Sequence, residues 1–202
     1  MNFKKLQAMQ AKLDDAILAE KAPMTTEERF NKTLVALSVE IAEVANTAEH
    51  FKFWKDNKGK VDSDRFGVKC VSADNELVFV GYLNEKAGIQ YEFEQAHRLT
   101  LIEECSDVLH FILSLANQRN YVITEIGKRF NVQEDTDSLE RNYLFLSMSI
   151  GSVEYLTFDF DLEVIIDIFF IYVRQLGITD EDLEQAYYDK NKINYERLEN
   201  GY

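Results

Sequence analysis

Apolar residues recur at helical spacing along most of the chain. Between residues ~3 and 20, Leu6, Met9, Leu13, Ile17 and Leu18 share one side, which predicts a first helix. "MTTEERF" follows. Thr25 or Thr26 is suited to cap a second helix, with Glu27 and Glu28 in the first turn, where the helix dipole favours anions. This helix is expected to run to about Asp56, where "DNKGK" ends it. From Lys60 to about Tyr91 the period changes. "FGVKCVSADNELVFVGYL" has β-branched residues on either side of the turn signal "ADN", so the spacing predicts a β-hairpin set between two helices. The helical period resumes near Glu92 through "RLTLIEECSDVLHFILSLANQ". Further helices are predicted at ~138–156, ~161–176 and ~180–199, the last capped by Thr179. The expected fold is all-α, a helical bundle with a small hairpin insert at about 60–91, organised as a single domain over residues 1–202.

Composition narrows this picture. One proline and eight glycines in 202 residues favour long helices. The net charge of -14 repels nucleic acid and anionic membrane, so neither is an expected partner. The longest apolar run, Val164 to Val173, is too short for a bilayer and contains Asp167. The start lacks the apolar stretch of a signal peptide, and Cys105 lies in an apolar helical pattern that suits a buried thiol. A cytoplasmic protein is expected.

The candidate chemistry lies on two helices. On a wheel from Leu37 to Ala48, Leu37, Ile41, Val44, Ala45 and Ala48 form an apolar sector. Glu40 and Glu43 sit on its flank, roughly 60° apart. From Leu101 to Ile112, Leu101, Cys105, Val108, Leu109 and Ile112 form the sector, and Glu104 and Asp107 take the same flank. One such pair alone is usually a solvated edge. Two pairs at matched positions can converge if the apolar faces pack, and four carboxylates together need protons or a cation. Hard oxygen ligands suit Mg²⁺ or Mn²⁺, and the ion would also bridge an acidic protein to a polyphosphate. A rival metal reading takes Glu94-x-x-His97 and Asp107-x-x-His110 as the Glu-x-x-His pattern of di-iron bundles; otherwise His97 is exposed and His110 hydrogen-bonded. Near the end, Lys190, Asn194 and Arg197 share a helical face. This cationic stripe suits phosphate oxygens, although such a stripe alone is more often a solvated C-terminal helix end.

These pieces resemble the dimeric, all-α dUTP diphosphatases of bacteria and phages. The resemblance rests on "QAKLDDAI", the E-x-x-E pair, "NTAEHFKFWKDNKGK", the E-x-x-D pair running into "VLHF", and the terminal K-N-x-x-N-x-x-R-x-x-x-G-Y. It implies Mg²⁺ on Glu40, Glu43, Glu104 and Asp107, with Glu43 and Glu40 catalytic and Glu43 orienting or deprotonating the attacking water. It also implies that Gln10 and Asp14 read the uracil edge and that Trp54 lines the nucleotide pocket, with Lys55 near the phosphates. Lys190, Asn194 and Arg197 would clamp the phosphates as the tail closes. The products would be dUMP and pyrophosphate, and the assembly a homodimer, for which Val164–Val173 offers buried or interface surface. Two departures stand out: the long gap between Glu43 and Glu104, and Leu198 where the family has Gln. The neighbouring alternative is a broader MazG-type nucleotide pyrophosphohydrolase. From another class comes a binder of a repressor-type regulator, since phage enzymes of this kind can bind repressors. The insert either packs on its own assembly or serves as a docking surface.

Overall fold

The structure, a computed structural model, describes residues 1–73, 76–131, 137–153 and 158–201. Its helices are α1 (Phe3–Ala19), α2 (Thr26–Ala48), α3 (Phe93–Gln118), α4 (Leu139–Gly151), α5 (Phe158–Gln175) and α6 (Asp180–Glu199). Between α2 and α3 lie β1 (Gly67–Ala73), β2 (Glu76–Asn84) and β3 (Ile89–Tyr91). The mostly helical architecture with a small antiparallel sheet is the one the periodicity predicts. Capping explains most of the helix starts. Thr25 accepts from the Glu28 amide, and Thr179 and Asp182 form a reciprocal capping box at α6.

α3 is the axis of the bundle and touches α1, α2, α5 and α6. Its expected apolar stripe, Leu101 to Ile112, is buried against Leu37, Ile41 and Val44 of α2. Leu113, Leu115 and Ala116 bury further sides of α3, as a helix inside a core requires. α5 is equally enclosed. All of Val164 to Val173 is buried within this one chain, so the stretch is core rather than a face for a second copy. Each of its large side chains contributes about 1.5–3 kcal/mol of burial free energy. Asp167 is tolerated there because its carboxylate accepts from the backbone N–H groups of Gly127, Arg129 and Phe130. No helix among the described residues is long and apolar enough to cross a membrane.

Three boundaries differ from expectation. α2 stops at Ala48, not near Asp56. Glu49 enters the left-handed region (φ 53°), and its carboxylate gathers Lys52, Lys55 and the Gly59 amide into a tight loop. The hairpin is a three-stranded sheet in the order β1-β2-β3, with a bulge between Lys69 and Cys70. Its expected turn residues, Asp74 and Asn75, lie outside the described residues, as do residues 154–157 at the predicted end of the fourth helix. α4 itself ends at Gly151.

The sheet is anchored at its root. Phe66 is buried and meets Tyr91 edge to face, and Tyr82 tilts against Phe93, which stacks on His97. Gly59 passes so close to the His97 ring that a Cβ there would sit 2.9 Å from it. His97 is accordingly half-buried, not exposed, with Nδ1 2.8 Å from the Lys60 carbonyl.

Candidate active site

Packing α2 on α3 brings the two carboxylate pairs together. Glu40, Glu43 and Glu104 each offer an oxygen, and these lie within 4.8 Å of one another. Asp107 stands at the edge of this group, with Oδ2 receiving the Lys190 ammonium at 2.7 Å. Burial, with the charges of Asp107, Glu43 and Glu104, pushes Glu40 up to about 7; burial, with Asp107 and Glu43, does the same to Glu104. Asp107 is raised too, because burial outweighs the pull of Lys190. Glu43 is the exposed member and forms the rim. Thr47 lies behind, its hydroxyl 3.5 Å from Glu104 Oε1. Such an all-oxygen set with an excess of negative charge fits a hard divalent cation. The di-iron alternative fails on position. His97 is tied up at the start of α3 and His110 in the core, and neither joins the carboxylates among the described residues.

α6 delivers the cation. Its first half docks through Leu183, Tyr187, Lys190 and Asn191, and Lys190 is buried with its ammonium shared between Asp107 and Glu103 (3.1 Å). Burial would lower the Lys190 pKa, but these two carboxylates hold it above the usual value. Asn194 is half-buried and Arg197 exposed in the last turns, where the Arg197 charge reaches Asp107.

α1 supplies a buried polar edge that binary patterning hides. Gln7, Gln10 and Asp14 are all buried. Gln10 Oε1 accepts from the Tyr187 hydroxyl (3.1 Å) and from His110 Nδ1 (2.7 Å), while Nε2 donates to Asp14 Oδ1 (2.7 Å). Ser114 and Arg29 donate to the other Asp14 oxygen. The Gln10 carbonyl is therefore doubly used, and one amide hydrogen remains. Because Gln10 Oε1 can only accept, His110 carries its proton on Nδ1, and burial, with Lys190 nearby, holds the ring neutral by lowering it to about 3. Its Nε2 is buried without a partner.

The loop after α2 carries the remaining candidates. Trp54 is 66% and Phe53 88% exposed, edge to face at 5.1 Å. Lys55 is paired with Glu49, whose own pKa Lys52 and Lys55 hold down to about 2. Thus Glu40, Glu43, Glu104, Asp107 and Lys190 form one cluster, and Gln10 and Asp14 form a network around His110. Trp54 and Lys55 stand on the loop, with Lys55 engaged by Glu49.

Residue patterning missed Glu103, Arg65, Glu49, Ser114 and Tyr187. Glu103 had a signal: it is one turn before Asp107 and shares its face. Tyr187 and Ser114 had none, since their partners lie far off in the chain.

A bundle that gathers carboxylates from two helices and a lysine from a third defines a class of protein suited to a divalent cation beside a polyanion. The chain belongs to the dUTPase family, whose model matches residues 2–68 and 91–202. It is thereby a dUTP diphosphatase of the nucleoside triphosphate pyrophosphohydrolase kind. No curated protein matches it. Beyond residue 1, the unmatched stretch is 69–90, which holds most of the three strands.

Proposed function

We propose that the chain hydrolyses dUTP to dUMP and pyrophosphate with Mg²⁺, or Mn²⁺ in its place, held by Glu40, Glu43, Glu104 and Asp107. The observation that carries this is the convergence of Glu40, Glu43 and Glu104 beside Lys190 in a member of this family. A bound divalent ion supplies charge neutralisation for the triphosphate and a more acidic water. Glu43, open at the rim, orients the water and takes its proton, with Glu40 behind it. The water oxygen bonds to the α-phosphorus as the bond to the bridging oxygen breaks and pyrophosphate leaves. Lys190, Asn194 and Arg197 hold the departing charge, and Lys55 joins them by exchanging Glu49 for phosphate. Trp54 packs against the nucleoside. Gln10, aligned by Asp14, His110 and Tyr187, gives its remaining hydrogen to the uracil carbonyl, where cytosine would present an amino group. The activity keeps uracil out of DNA and supplies dUMP.

The working form is a homodimer. Val35 and Val39 on α2 and Leu144 and Met148 on α4 are exposed, and Val39 lies one turn before Glu43. A second copy seated there borders the metal site. A second reading rests on the insert, whose apolar faces lie in the part the family model does not match: binding of another protein, such as a repressor-type regulator.

The test is a hydrolysis panel of dUTP, dUDP, dTTP, dCTP and UTP with Mg²⁺, with Mn²⁺ and with EDTA. Metal-dependent turnover confined to the uracil deoxynucleotides is expected. Similar rates on all bases would favour the MazG-type alternative, and full activity in EDTA would overturn the metal assignment.

A further inference from the structure

Lys190 has two carboxylate partners, and only one belongs to the expected metal set. Glu103 and Asp107 are one turn apart on α3, and the ammonium bridges them at 3.1 and 2.7 Å. The other Glu103 oxygen accepts from Arg65 Nη1 at 2.8 Å, and the same nitrogen donates to the Leu99 carbonyl at 3.3 Å. Arg65 in turn lies over the ring of Phe66, the buried anchor of the sheet. Glu103 is thus held between two cations and is not one of the three glutamates whose oxygens converge.

Metal entry changes this balance. An ion that takes the Asp107 carboxylate competes with Lys190 for the same oxygens. A lysine this buried is costly without an anion. Glu103 is already in contact and has its second oxygen fixed by Arg65, so it can receive the ammonium without joining the ion. We propose that Glu103 is the alternate seat of Lys190: when the metal claims Asp107, Lys190 passes wholly to Glu103, facing the phosphates, and Arg65 sets how firmly that seat holds. Glu103 is then a positioning residue acting through Lys190. This inference rests on the reading of Asp107 as a metal ligand.

Metal affinity reads the exchange without any turnover. Mn²⁺ is titrated calorimetrically into the metal-stripped full chain at pH 8, for wild type, E103Q, E103D, R65Q, R65K, K190M and the E103Q/K190M double variant. Without its alternate seat, Lys190 stays on Asp107, so E103Q weakens Mn²⁺ by about tenfold, with E103D in between. R65Q frees Glu103 to hold Lys190 harder and strengthens Mn²⁺ by about threefold, while R65K stays close to wild type. In the K190M background the effect of E103Q shrinks to about twofold or less, since only the through-space charge is left. An equal E103Q penalty with and without Lys190 would overturn the proposal, showing Glu103 to act as a distant charge. A wild-type chain that binds no Mn²⁺ would overturn the metal reading beneath it as well, so the two failures are distinguishable. Circular dichroism in EDTA verifies the fold of each variant, and E103D carries the same test should E103Q not fold.

Discussion

The helical body and the sheet between α2 and α3 handle surface chemistry in opposite ways. In the body, most of the charge around the site has a partner or a shared purpose: Lys190 on Asp107 and Glu103, Arg65 on Glu103, Lys52 and Lys55 on Glu49. The sheet instead leaves apolar side chains open. Leu77, Val78, Phe79 and Val80 are all exposed, Leu77 by 79%. Left open in this way, a three-stranded sheet gains little from burial, so its stability is borrowed from Phe66 and Tyr91 at its root. The family model matches the first region and passes over the second. Catalysis is therefore expected to be separable from the insert.

The largest effect falls on the body. Replacing Glu40 by Gln, or Asp107 by Asn, removes a charge from the metal set without changing shape. Turnover of dUTP should drop by about 10³-fold or more, with helix content unchanged by circular dichroism. Near-normal turnover in either variant would place the metal elsewhere.

Much of this body was legible in the chain. Matched apolar sectors around Leu37 and Leu101 predicted the packing and the approach of the carboxylates, of which Glu40, Glu43 and Glu104 converge while Asp107 is held by Lys190. What escaped was set by distant partners or local capture. Gln10 reads as a free amide, and only the fold reveals that His110 and Tyr187 occupy its carbonyl. Glu49 reads as one more helical residue in "AEHFKFWK", since a lysine three positions on suits a helix as well as a loop. Glu103 was hidden by its neighbour, the better-placed Glu104.

Stability should report the crowding of charge. Burial and the neighbouring carboxylates push Glu40 and Glu104 up to about 7 from an ordinary 4.5. The folded chain thus binds protons more tightly than the unfolded one. Metal-free stability is fullest below about 4.5 from these groups, falls as pH rises, and is lost above about 7. Because the groups share one field, their joint contribution is about 2 kcal/mol, or about 4–8 °C in Tm. Thermal unfolding in EDTA at pH 5.5 and 8, with Glu40→Gln as reference, isolates it. Mg²⁺ should restore the midpoint at pH 8. A difference between wild type and variant that does not vary with pH would show that these carboxylates do not share a site.

A smaller effect concerns base choice. Gln10→Ala removes the one hydrogen that Gln10 has left to give, so the dUTP over dCTP preference in kcat/KM should fall by about tenfold. The same change strips Asp14, His110 and Tyr187 of a partner. The ratio of the two substrates is therefore the measurement, because a general loosening lowers both alike. An unchanged ratio would move base selection off α1.

The smallest effect on catalysis should come from the largest deletion. Joining Gly67 to Tyr91 through a short Gly/Ser linker removes the open sheet but keeps Arg65, Phe66 and Tyr91, which tie the connection to α3. Long loops cost little to shorten or lengthen, since closure entropy changes slowly with length. The exposed apolar side chains go with the strands, so the shortened chain should be more soluble. Its dUTP turnover should stay within about twofold of wild type, and its Tm within a few degrees. If the insert is a docking surface, binding to any protein captured by the intact chain is lost while turnover survives. Loss of turnover with the helices intact would join the two regions, and would point to the Arg65–Glu103 contact as the place where the sheet and the metal site meet.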